Sequence, residues 1–195
     1  MKLGILGGTF DPIHIGHLIV AQEAAAMAGL DQILFIPTGQ PWMKAGSQVS
    51  PAPQRKEMLD LALEGNLTFK VSTIEIDRPG PSYTVDTLTA LREGDVKGAD
   101  LFFILGMDSL QEIHRWNQVE RLFMLCKLVV VSRPGHADFN WESLEEIRSG
   151  VLGRLQFIEG PHIGVSGAEI RRRVSLGFPI SHWVPRSVER YIGEK

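Results

Sequence analysis

Two histidines three residues apart, His14 and His17, close the stretch Gly7-Gly-Thr-Phe-Asp-Pro-Ile-His-Ile-Gly-His17. Gly7, Gly8 and Gly16 allow close backbone approach, Thr9 adds a hydroxyl, and two imidazoles supply N–H donors. Such a set suits a polyphosphate. Zinc is the rival chemistry, but no third ligand stands nearby and Asp11 sits before Pro12 in a turn. A tight turn with structural histidines is the plainest alternative. Asp11 would repel phosphate, so it is read as bracing the loop.

The elements around this stretch decide which chemistry is plausible. Residues 2–6 are a short apolar run, and Leu18 to Met27 is Ala-rich with helical spacing. A buried strand that feeds through a Gly-rich loop into a helix N-terminus is how α/β proteins hold phosphate. Gln32 to Ile36 is a second apolar run, so strand, helix and strand form a right-handed βαβ unit. Further strands are expected at Phe69–Ile76, Leu101–Leu105, Lys127–Val131 and, at an edge, Leu155–Ile158. Helices are expected at Ala52–Leu63, Val85–Arg92, Ser109–Ile113, Gln118–Leu125 and Trp141–Ser149, with Ser82 or Thr84 as the cap of the second. Ser166 caps a later helix, and Pro185 opens the last. The expected fold is α/β: a doubly wound, mainly parallel Rossmann-like sheet with a small helical C-terminal part. One domain over 1–195 is expected, with 165–195 as its helical subregion.

In such folds sites lie beyond the carboxyl ends of the strands. Loops 7–17, 37–50, 78–84, 106–117, 132–136 and 159–167 should meet there, and each carries polar residues that a bare connection does not require. Gly4-x-x-Gly7-Gly8 lacks the full Gly-x-Gly-x-x-Gly of a dinucleotide fingerprint, and Pro37-Thr38 stands where an acidic residue should end the second strand. A nicotinamide-dependent oxidoreductase is therefore disfavoured. No Gly-x-x-x-x-Gly-Lys-[Ser/Thr] is present, which excludes a P-loop NTPase.

With 195 residues, 44% of them hydrophobic and 22% charged, the chain is an ordinary globular one. A net charge of −3 argues against a general nucleic-acid binder. The single Cys126 excludes an internal disulfide or a cysteine-based zinc site. No apolar stretch is long enough to span a membrane, and the cytoplasm is the default location. A homo-oligomer is left open.

The His-containing stretch looks like the (H/T)xGH loop of the nucleotidyltransferase superfamily. Other segments resemble the bacterial nicotinate mononucleotide adenylyltransferases: Pro37-Thr-Gly-Gln-Pro-Trp-Met-Lys44, Gly80-Pro-Ser-Tyr-Thr-Val-Asp-Thr-Leu88, Leu105-Gly-Met-Asp-Ser-Leu110, Ile113-His-Arg-Trp116, Arg133-Pro-Gly135, Ser166-x-x-Glu-Ile-Arg171 and Val184-Pro-x-x-Val-x-x-Tyr-Ile192. The resemblance runs through nearly the whole chain. It implies transfer of the adenylyl group of ATP to nicotinate mononucleotide, with Mg²⁺ carried by the substrate phosphates and no protein metal site. It implies His14, His17, Lys44 and Arg171 as catalytic donors. ATP would meet Gly7, Gly8, Thr9, Phe10, Gly16, His17, Gly106, Asp108, Arg133, Ser166 and Arg171. Nicotinate mononucleotide would meet Gly8, Thr9, Lys44, Tyr83, Thr84, Trp116 and Asn117, with Trp116 stacked on the pyridine ring. Val165-Ser-Gly-Ala168, Trp42-Met43 and Asn117 depart from the family's usual residues, the first by one hydroxyl. A related transferase with another acceptor, such as phosphopantetheine, and a nucleotide-binding module without turnover are the alternatives.

Overall fold

The computed structural model describes residues 1–41, 49–94, 96–132, 139–161 and 163–195. Six strands form one sheet: β1 (Lys2–Gly8), β2 (Gln32–Pro37), β3 (Phe69–Val71), β4 (Asp100–Gly106), β5 (Lys127–Ser132) and β6 (Leu155–Glu159). Their order is β3-β2-β1-β4-β5-β6, and every pairing is parallel. Among the described residues, eight α-helices accompany them: α1 (Ile15–Ala28), α2 (Ala52–Leu63), α3 (Thr84–Glu93), α4 (Met107–Gln111), α5 (Val119–Leu125), α6 (Glu142–Ile147), α7 (Gly167–Ser175) and α8 (Arg186–Gly193).

The central strands are apolar on both faces because helices cover both. Period-two alternation sends Phe102, Ile104, Val129 and Val131 into one core, shared with Ala21 and Ala24 of α1 and with Met58 and Leu59 of α2. It sends Leu101, Phe103, Leu105, Leu128 and Val130 into the other, shared with α3, α4, α5 and α6. The alanines of α1 let it lie close to the sheet. Gly4 does the same from below, since a Cβ there would come within 2.8 Å of Leu30 Cδ1.

The C-terminal helices close the first core rather than standing apart. Ile170, Ile180, Val184, Val188 and Tyr191 are buried in it. The Ser187 hydroxyl donates to Leu61 O at 2.9 Å, the Tyr191 hydroxyl to Glu57 at 2.9 Å, and Ile15 N–H to Trp183 O at 3.0 Å.

Two local expectations fail. The third strand stops at Val71 instead of Ile76, because Thr73 bonds Asp77 through both its hydroxyl (2.6 Å) and its carbonyl (2.9 Å) and turns the chain. Neither Ser82 nor Thr84 caps α3: Tyr83 holds the cap position, and the Ser82 hydroxyl accepts from Gly39 and Gln40. The helix expected over Ser109–Ile113 is observed as α4, which starts two residues earlier, at Met107.

Candidate active site

The strand order reverses at β1 and β4, and a cleft of about 560 Å³ opens at their carboxyl ends. In a parallel sheet, each following helix begins at that same edge. The first residues of α1 (Gly16, His17), α3 (Thr84) and α7 (Gly167) accordingly line one cavity. Three partial positive charges thus face the same space, a field suited to a polyanion.

On one side of the cleft are Gly7, Gly8, Thr9, His14, Gly16 and His17. The two imidazoles stack, with ring centres 3.6 Å apart and planes 21° from parallel. His14 is buried, and desolvation pulls its pKa down to about 4, so at neutral pH it carries no charge. Its Nδ1 is buried without a hydrogen-bond partner among the described residues. His14 N–H donates to His17 Nδ1 at 3.3 Å. A ring nitrogen that accepts leaves the proton of a neutral imidazole on the other one, so His17 is an Nε2–H donor.

The other end of the cleft holds Tyr83, Thr84, Trp116 and Asn117, the latter two placed just after a 3₁₀ turn at Ile113–Arg115. Trp116 packs edge-to-face on Phe103, with centres 5.7 Å apart, which fixes its ring as a wall. Gly106, Asp108 and Ser166 also line the cleft. The Ser166 hydroxyl caps α7 by accepting from Glu169 N–H at 3.2 Å, as its sequence context predicts.

Two expected site residues are placed differently. The Phe10 ring lies in the core, 2% exposed, between His17 and Phe35, and is not part of the cleft lining. Arg171 lies outside the cleft lining: it donates to the Asp11 carbonyl, with its guanidinium 3.7 Å from the Asp11 carboxylate. Lys44 and Arg133, together with Trp42 and Met43, fall outside the described residues.

Sequence reasoning passed over one residue that organises the site. Arg55, 2% exposed, donates to Ser50 O at 2.9 Å, Thr9 O at 2.8 Å and Thr38 O at 2.7 Å. Burial works against its charge and the Asp11 carboxylate supports it. One guanidinium therefore ties the glycine loop to both ends of the segment that contains Lys44. The signal was available: Arg55 lies three and four residues before Met58 and Leu59, on the buried stripe of α2. Asp11 completes the brace by accepting Ser50 N–H at 3.2 Å.

Residues 5–173 match the family model described as cytidylyltransferase-like. A Dehalococcoides mccartyi protein named "Probable nicotinate-nucleotide adenylyltransferase" is 44% identical over 194 residues, covering 100% of this chain and 95% of that one. A Roseiflexus protein of the same name is 44% identical over 190 residues, covering 97% and 94%. The chain belongs to the nicotinate-nucleotide adenylyltransferases of the cytidylyltransferase-like family. In fold it is similar to the nicotinic acid mononucleotide adenylyltransferase of Plasmodium falciparum, solved with NaAD: TM-score 0.77, 18% identity, 99% of this chain and 95% of that one.

Proposed function

We propose that the protein transfers the adenylyl group of ATP to nicotinate mononucleotide, giving nicotinate adenine dinucleotide and pyrophosphate, a step of NAD biosynthesis. The observation that carries this reading is one cleft lined both by the His14 and His17 imidazoles with the N-termini of α1 and α7, and by Tyr83, Thr84 and Trp116. A triphosphate fits the first set and an aromatic nucleotide the second. The acceptor phosphate is already anionic at neutral pH. Its oxygen bonds to the α-phosphorus as the bond to the β-phosphate oxygen breaks, and neither a base nor a covalent enzyme intermediate is required. The protein's work is positioning and charge stabilisation.

His17 supplies its Nε2–H to the reacting phosphates. His14, neutral in the free protein, supports the imidazole stack and gains proton affinity beside a polyphosphate. Lys44 and Arg133, outside the described residues, are assigned as further sources of positive charge, and Arg171 acts chiefly through Asp11. Gly106, Asp108 and Ser166 hold the ATP side; Trp116 stacks on the pyridine ring while Thr84 and Asn117 offer N–H groups to its carboxylate. Among the described residues, the carboxylates that line the cleft are Glu75 and Asp108, and no group of three or more His, Cys, Asp or Glu converges on one point. That donor set fits Mg²⁺ entering on the oxygens of ATP, where it would neutralise the leaving pyrophosphate. Residues 1–195 act as one domain, which the shared core of α1, α2, α7 and α8 supports. Among the described residues no helix is long and apolar enough to cross a membrane, and we place the enzyme in the cytoplasm.

The test offers ATP and Mg²⁺ with nicotinate mononucleotide, nicotinamide mononucleotide or phosphopantetheine, and measures pyrophosphate. Fastest release with nicotinate mononucleotide is expected. Release with phosphopantetheine alone, or with none of the three, would overturn the reading.

A further inference from the structure

At the acceptor end of the cleft, two loops from different parts of the chain are fastened by one hydroxyl. Ser82 Oγ accepts from Gly39 N–H at 3.1 Å and Gln40 N–H at 3.2 Å, and Ser82 N–H donates to Gln40 O at 3.0 Å. With two N–H groups on its lone pairs, the hydroxyl must give its own hydrogen elsewhere. Beside it on the cleft wall is Glu75, a buried carboxyl whose pKa burial raises while the Thr87 and Ser82 hydroxyls work against the rise. Glu75 is set in turn by the Thr87 hydroxyl of α3 at 2.8 Å, and Arg78 donates to Thr87 Oγ1 at 2.9 Å. Contact along this seam is close enough to dictate a residue: a Cβ on Gly39 would fall 2.1 Å from Glu75 O.

The seam joins two walls. Thr38 and Pro41 line the cleft from one loop, and Tyr83 and Thr84 line it from the other. We propose that Ser82, bonded to Gly39 and Gln40 and set beside the Glu75 carboxylate, is a positioning residue for the acceptor. It holds Thr38–Pro41 against Tyr83–Thr84 so that the pocket for the acceptor nucleotide keeps its width. The ATP end has a further brace in Arg55 and Asp11, which hold Thr9 and Ser50, while Arg55 also fixes Thr38 O at the start of the seam loop. The prediction is therefore selective: losing Ser82 costs acceptor affinity and leaves ATP affinity in place. This assignment of the acceptor end rests on the function proposed above.

Ser82→Ala, Ser82→Thr, Glu75→Ala and Glu75→Gln are compared in the full chain by two readouts. The first is amide hydrogen exchange at Gly39 and Gln40. The second is the Michaelis constant for each substrate. Removing one buried acceptor should speed exchange at both amides by about tenfold or more and raise KM for nicotinate mononucleotide roughly five- to twentyfold, with KM for ATP within about twofold. Glu75→Ala should behave similarly. Ser82→Thr, which restores the hydroxyl, and Glu75→Gln, which restores an oxygen for it, should recover most of both. Unchanged exchange in Ser82→Ala, or equal rises in both Michaelis constants, overturns the proposal. If the unmodified protein fails to turn over nicotinate mononucleotide, the reaction assignment falls, and exchange at the two amides alone decides the seam.

Discussion

At the scale of single residues, the stacked histidines carry the sharpest expectations. His17 is an Nε2–H donor because His14 N–H occupies its Nδ1. His17→Ala should lower kcat by about 10²-fold with the fold intact, the usual loss for one donor aimed at developing charge; wild-type turnover would remove it from the mechanism. His14 makes a different prediction. Its pKa falls from the ordinary 6.5 to about 4 through burial. The unfolded chain thus binds the proton more readily between those values. Stability from this group is full above pH 6.5 and is lost as pH falls towards 4, to the extent of roughly 2–3 kcal/mol. Urea titrations at pH 7 and pH 4.5 should show a smaller acid loss in His14→Asn than in wild type. An equal loss would place the acid sensitivity elsewhere.

At the scale of elements, Arg55 of α2 holds three carbonyls from three loop positions. Arg55→Met should destabilise the fold by about 2–4 kcal/mol, since it strands those carbonyls and the Asp11 carboxylate. It should also lower kcat/KM for both substrates, unlike the Ser82 variants. Chemical unfolding and steady-state kinetics check both halves. The sequence made the helix plain and hid this role. Apolar spacing announces α2, but a charged residue on its buried stripe reads as noise until the loops that surround it are placed. Glu75 and Ser82 were hidden for a related reason. Each looked locally like a strand or cap residue, while its partners lie across the chain at Gly39, Gln40 and Thr87. By contrast the glycine loop, the two histidines and the residues of the 80–88 stretch were legible, because their chemistry is written in consecutive positions.

At the scale of the whole molecule, the strand sequence and the parallel architecture followed from alternating apolar runs and helical spacers. The placement of the last helices did not. Short helices with polar outer faces look detachable in sequence, whereas Val188 and Tyr191 are buried in the core beside α2. Tyr191→Ala should cost about 3 kcal/mol or more. It should lower the midpoint of a single cooperative transition, followed by circular dichroism and by tryptophan fluorescence together. Two separate transitions would instead mark residues 165–195 as an independent unit.

The docking of α8 on α2 also orders events in time. Translation delivers β1, β2 and α2 early, yet the surface they present to Val188 and Tyr191 stays open until those residues leave the ribosome. β1 lies in the middle of the sheet, so the nascent chain also carries an unpaired edge along it until residues 100–106 arrive to pair. Helper proteins that shield apolar surface during synthesis therefore have a defined window on this chain. It narrows when β4 adds to the sheet, and the core shared with α2 is sealed when α8 docks.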